Sequence, residues 1–177
     1  MSHEYSRPYN PDGVQAYLIS FRCYGTWLHG DARGSADRSG HNLWATPLLP
    51  PNAQRQARER GALKRSPVAL DERAREIVDK TIREVCAHRG WLLHAFNVQA
   101  DHVHLVVTAP EKPEPVMNSL KSWATRRLHE EGLMRDEDRV WSRHGSTCWL
   151  WTQEQVRAAC AYVIEGQPLP PEMRWPP

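Results

Sequence analysis

The run Asp101-His102-Val103-His104-Leu105-Val106-Val107 sets two imidazoles two residues apart in an aliphatic, strand-like stretch. On a strand, alternate side chains share a face, so His102 and His104 point the same way. Val103, Leu105 and Val107 then form the opposite, apolar face, which must pack on helices. Cβ atoms in that relation lie about 6–7 Å apart, within reach of one divalent ion. The plain alternative is two polar residues on the solvated face of a sheet. A metal site would also need a third protein ligand and open positions for a substrate oxygen. The pair by itself does not choose between magnesium, manganese and zinc.

A second reactive group lies near the end of the chain. Val156, Ala159, Cys160, Val163 and Ile164 fall within about 140° of a helical wheel and mark a buried face. Tyr162 sits about 130° from the centre of that face, outside the core. It either lies over a neighbouring loop or presents a phenolic nucleophile to whatever faces the helix.

The elements that must position these groups follow from periodicity. Residues 15–24 alternate, with Tyr17, Ile19, Phe21 and Cys23 on one side and Ser20 and Arg22 on the other, which predicts a half-buried strand. Residues 25–69 form a long Gly- and Pro-containing connection, read as an insertion. Within it, residues 52–65 carry Arg55, Arg58, Arg60, Lys64 and Arg65 against Glu59 alone, a local +4 where the whole chain is +2. An amphipathic helix is predicted over residues 71–89, closed by Gly90, and a hairpin over residues 91–108. A second helix spans residues 113–131, with Val116, Leu120, Trp123, Ala124 and Leu128 inward and Lys121, Arg126 and Arg127 outward. A strand or hairpin around Gly145 follows over residues 140–151. A third helix starts at Thr152, whose spacing to Gln155 is a capping box, and stops at Gly166 before a Pro-rich tail, residues 168–177. The order is that of a ferredoxin-like α+β sandwich, an antiparallel sheet with helices on one face and the paired histidines on a central strand, plus one C-terminal helix carrying Tyr162. One domain of 177 residues accounts for the chain, with a core at about residues 14–167.

Composition narrows the class. With 40% apolar and 25% charged residues, no run approaches the ~20 apolar residues needed to span a bilayer, so no membrane role is expected. Recurring apolar patterns exclude global disorder. Four cysteines without Cys-x-x-Cys spacing read as buried thiols, and no leader-like segment opens the chain, so a cytoplasmic location is expected.

The His102-Val103-His104 triplet, together with a tyrosine in a late helix followed by an amide side chain, resembles the HUH single-tyrosine transposases. These comprise small insertion-sequence enzymes and REP-associated tyrosine transposases. Residues Phe21-Arg22-Cys23-Tyr24-Gly25-Thr26-Trp27-Leu28-His29-Gly30 look like that family's first strand and its exit, and Asp101 stands where the family has Asn. The resemblance implies a Mg2+ or Mn2+ ion on His102, His104 and Gln167. It also implies that Tyr162 attacks single-stranded DNA to leave a 5′-phosphotyrosine bond and a free 3′-hydroxyl.

The chain departs from the family in one spacing. Insertion-sequence members separate the tyrosine and the glutamine by four residues, whereas Tyr162 and Gln167 are five apart. Either a bulge at Gly166 realigns them, with Glu165 as an alternative third ligand, or Val163 occupies the nucleophile's register. In the latter case the protein would be a domesticated module that binds a hairpin or single strand without cutting. A metal-dependent phosphodiesterase using water is a third reading. For the DNA itself, Trp27 and Trp44 are base-stacking candidates, while Trp91 and Trp123 are expected in the core. Arg55, Arg58, Arg60, Lys64, Arg65, Lys121, Arg126 and Arg127 are candidate phosphate contacts. The resemblance leaves monomer and homodimer both open.

Overall fold

A computed structural model describes residues 13–32 and 50–165. Trp44, Gln167 and the Pro-rich tail lie outside these described residues. Along the chain run β1 (Ala16–Cys23), α1 (Ala53–Gly61), α2 (Glu72–Arg89), β2 (Leu92–Val98), β3 (His102–Thr108), α3 (Pro113–Glu130), β4 (Trp141–Leu150) and α4 (Gln153–Glu165). The four strands form one antiparallel sheet in the order β2-β3-β1-β4. The α2 and α3 connections each link two parallel strands across an intervening antiparallel one, which is the split β-α-β arrangement expected of a ferredoxin-like sandwich. Among the described residues no helix is long and apolar enough to cross a membrane.

Two cores follow from the two faces of the sheet. On one, Tyr17, Ile19, Phe21, Val103, Leu105 and Val107 pack against the apolar stripes of α2 and α3. On the other, Ala16, Leu18, Ala95, Val106, Cys148 and Leu150 are covered by Val156, Ala159 and Val163 of α4. The extra helix therefore crosses the face opposite α2 and α3. Its start is the expected capping box: Gln155 N–H donates to Thr152 Oγ1 at 3.2 Å, and Thr152 N–H returns to Gln155 Oε1 at 3.3 Å. At the other cap type, Gly90 ends α2 with φ 69, a left-handed geometry that favours glycine.

Several expectations are corrected. The insertion is not loop throughout, since residues 53–61 form the exposed helix α1. Its Asn52 cap accepts from Arg55 N–H at 2.9 Å, and Asn52 N–H donates to the Gly30 carbonyl at 2.9 Å. Gly30 has φ 91, and a Cβ there would collide with the Asn52 carbonyl, so glycine is what lets α1 dock. On α3, Lys121 is only 7% exposed while Trp123 is 37% exposed, the reverse of the predicted orientation. The reason is that residues 117, 121, 124 and 128 share one helical arc, so Lys121 falls on the buried stripe between Met117 and Ala124. Its Nζ then reaches out of the core to the Ser142 and His144 carbonyls at 3.0 and 3.2 Å. Ile164, placed inward by the helical wheel, is 65% exposed: the buried stripe of α4 runs through Val156, Ala159 and Val163, and Ile164 is turned about 100° from Val163. Residues 141–150 are a single strand, with Gly145 paired to Phe21.

Candidate active site on the face beneath helix α4

Strand register builds the site. Across the α4 face one row of side chains reads Ala95–Val106–Leu18–Cys148, all buried. The next row reads Asn97–His104–Ser20–Ser146, so all four strands change from apolar to polar at the same level. Beyond it, Arg22 of β1 is paired with His102 of β3. The α4 helix covers the apolar row, and its Tyr162 reaches the polar one.

Both histidines are held at their Nδ1 atoms. Asp101 Oδ1 lies 2.6 Å from His102 Nδ1, and Ser20 Oγ lies 2.5 Å from His104 Nδ1. A carboxylate can only accept, so His102 carries its proton on Nδ1 and keeps a lone pair on Nε2. The rings sit 4.6 Å apart between centroids, and the Tyr162 ring lies 5.2 Å from that of His104. This donor set fits two positions in the ligand shell of a divalent ion, with Nε2 of each ring as the ligand.

Electrostatics agree with that use. Burial, the neighbouring His102 and the Arg22 cation push the His104 ring down to about 4, against an upward pull from Asp101. His104 is therefore neutral near pH 7, as a metal ligand must be. Burial pushes the Tyr162 phenol up, and the Arg22 cation opposes that rise. Arg22 thus acts on both groups, while its guanidinium carbon lies 3.1 Å from the centroid of the Trp27 ring.

Beside this face lies an open groove of about 940 Å³, lined among others by Gly25, Thr26, Arg60, Lys64, Arg65 and Asp101. Asp101 belongs to both places, since it lines the groove and holds His102. Three of the five basic residues in the stretch 52–65 therefore line a groove that shares Asp101 with the histidine site. Arg55 and Arg58 lie on α1 outside that lining.

Other predicted residues are not brought here. Lys121 is buried on the α3 side of the sheet. Arg126 stacks over Trp123 at 5.0 Å on the exposed face of α3, and Arg127 pairs with Glu84 and Glu130. That helix packs on the sheet face away from the histidines. Among the described residues no three His, Cys, Asp or Glu side chains converge on a metal position. Glu165 is exposed at the end of α4, three residues beyond Tyr162. The four thiols are unbridged, and burial pushes Cys23 up to about 12 and Cys86 and Cys148 up to about 11, which keeps these three protonated near neutral pH.

Sequence reasoning passed over Ser20, Arg22 and Asn97 as parts of the site. A signal for two of them was present, because the alternation of β1 already set Ser20 and Arg22 on its polar side.

Comparison with known proteins places these observations in context. The family model described as "Transposase IS200 like" matches residues 62–164. No curated protein matches the chain. Among solved structures, a REP-associated tyrosine transposase bound to a REP hairpin is similar at 13% identity, over 92% of this chain and 70% of that one, with a TM-score of 0.48. A candidate transposase from Deinococcus radiodurans R1 is similar at 18% identity, over 87% of this chain and 91% of that one, with a TM-score of 0.46.

Proposed function

The chain belongs to the IS200-like transposase family, and from that premise we propose that it cuts and rejoins single-stranded DNA with Tyr162 as nucleophile. The observation that carries this reading is the contact of Tyr162 with His104, on the one sheet face where His102 and His104 stand together. Tyr162 Oη attacks the scissile phosphorus, a P–Oη bond forms and the P–O3′ bond breaks. The phenolic proton leaves to solvent as the departing 3′ oxygen takes one up. The products are a 5′-phosphotyrosine and a 3′-hydroxyl, with no water consumed, so the ester bond is conserved for rejoining.

The surroundings suit each step. A phenol raised by burial is almost wholly protonated at neutral pH, so its proton must depart as the bond forms. The Arg22 cation favours the developing phenolate. His102 and His104 would hold Mg2+ or Mn2+, which when bound supplies Lewis acidity to a non-bridging phosphate oxygen. Arg60, Lys64 and Arg65 give the adjoining groove the positive charge a DNA backbone needs.

The test is incubation of the protein and Mn2+ or Mg2+ with labelled, hairpin-bearing single strands, resolved on a denaturing gel. A covalent protein–DNA adduct that disappears in Tyr162→Phe is the expected result. Cleavage that survives Tyr162→Phe would mean that water is the nucleophile, and binding with no cleavage of any strand would mean a recognition module.

A further inference from the structure

Arg22 stands beside His102 on the histidine face, at the end of the strand whose exit turn leads into the groove wall. It is the penultimate residue of β1, paired in register with His102, and the turn that follows supplies Gly25 and Thr26 to the groove wall. Strand alternation sets its side chain on the face that carries Ser20 and His104. The guanidinium carbon stands over the Trp27 ring, 3.1 Å from its centroid. A guanidinium is a planar, two-point donor whose geometry matches the paired oxygens of a phosphate. The charge of Arg22 is felt by both His104 and Tyr162.

We propose that Arg22, held by Trp27, binds the reacting phosphodiester of the single strand and is a further catalytic residue. The proposal rests on the DNA-cleaving reading above. It adds a phosphate contact that neither the paired histidines nor the tyrosine supplies. A fixed cation stacked on an aromatic plane is already oriented, so it stabilises charge on the phosphate without reorganising as the reaction proceeds. The Trp27 ring does this by supporting Arg22, and is thus a positioning residue.

The experiment separates the contact from the reaction. Oligo-dT binding is followed by anisotropy over a salt series without metal, and adduct formation is followed in single turnover with Mn2+ on saturating strand. Arg22→Gln is expected to reduce the log–log salt slope by about 0.7, one phosphate contact on a single strand. It should also slow adduct formation on the order of 100-fold, as loss of one preorganised donor does. Arg22→Lys should restore the slope but only part of the rate, because a point charge replaces a two-point donor. Arg73→Gln, on the far helix, serves as the control for net charge. An unchanged slope and an unchanged rate in Arg22→Gln overturn the proposal. Arg22→Met, of similar length and also uncharged, replaces it if the glutamine variant melts early. If the wild-type protein forms no adduct with any strand, the transposase reading falls, and the salt slope alone still decides whether Arg22 holds a phosphate.

Discussion

The Tyr162 ring meets the His104 ring edge-on, at 5.2 Å between centroids and 66° between planes. His104 meets His102 in the same manner at 4.6 Å, so the three rings form a continuous row from α4 to the start of β3. What holds Tyr162 there is the seating of α4 through Val156, Ala159 and Val163. Asn97 adds to that seating, since its Nδ2 donates to the Val163 carbonyl at 3.2 Å.

Replacing Asn97 with Ala should therefore loosen α4 rather than the sheet. The loss is about 1 kcal/mol, typical of one hydrogen bond. Hydrogen exchange should speed up in α4 amides while β1 and β3 stay protected. Equal acceleration across the sheet would contradict the assignment.

Asp101 should matter to metal affinity without touching the ion. Asp101→Ala frees the His102 ring to turn and should weaken Mn2+ binding on the order of 10–100-fold, the usual effect of losing a ligand's orienting partner. Asp101→Asn should retain most of the affinity, since an amide oxygen still accepts from Nδ1. Titration of Mn2+ followed by electron paramagnetic resonance distinguishes the three proteins.

Gly145 is opposite Phe21 on β4, and a Cβ there would press on Met117 Sδ and lie 2.5 Å from the Ser20 carbonyl. Gly145→Ala should cost about 1–3 kcal/mol, the range for overpacking. Because Ser20 also holds His104, Mn2+ affinity should fall with stability. Thermal melts and metal titration on the same variant check both.

Lys121 predicts a pH dependence. Burial, with Arg139 adding to it, lowers its ammonium from 10.5 to about 8. Below about pH 8 both folded and unfolded chains are protonated, and the fold carries the full cost of the buried charge. Between about 8 and 10.5 only the folded chain has lost its proton, so this residue makes stability rise with pH across that window. The rise is on the order of 3 kcal/mol. Urea unfolding of wild type minus Lys121→Met should show it, and a flat difference curve would refute it.

The groove cations should report on DNA rather than on the fold. Replacing Arg60, Lys64 and Arg65 together by Gln should lower the single-strand salt slope by about 2. All three are exposed, so the melting temperature should hardly move. A preserved slope would show that the strand takes another route.

Much of this was legible in local pattern. The alternation of residues 102–107 fixed both the shared direction of His102 and His104 and the apolar face behind them. Thr152 and Gln155 announced the start of α4. The helix α1 was hidden because it is almost wholly polar and buries no residue, so no apolar stripe marks it; its cap and its contact with Gly30 hold it. Lys121 and Trp123 exchanged places because a lysine stem can cover apolar surface while its amine reaches two carbonyls, which hydrophobicity ranking overlooks.

By itself, then, the sequence determined the elements and which side chains each sets on a common face, since periods of two and 3.6 residues are local properties. The tertiary structure alone decided that Ser20, Arg22, Asn97 and Tyr162 share that face with the histidines. Ser20 and His104 are 84 positions apart in the chain and meet only through the β1–β3 register. A slip of one residue would turn the whole polar row into the opposite core, so burial of the apolar rows is what enforces the site.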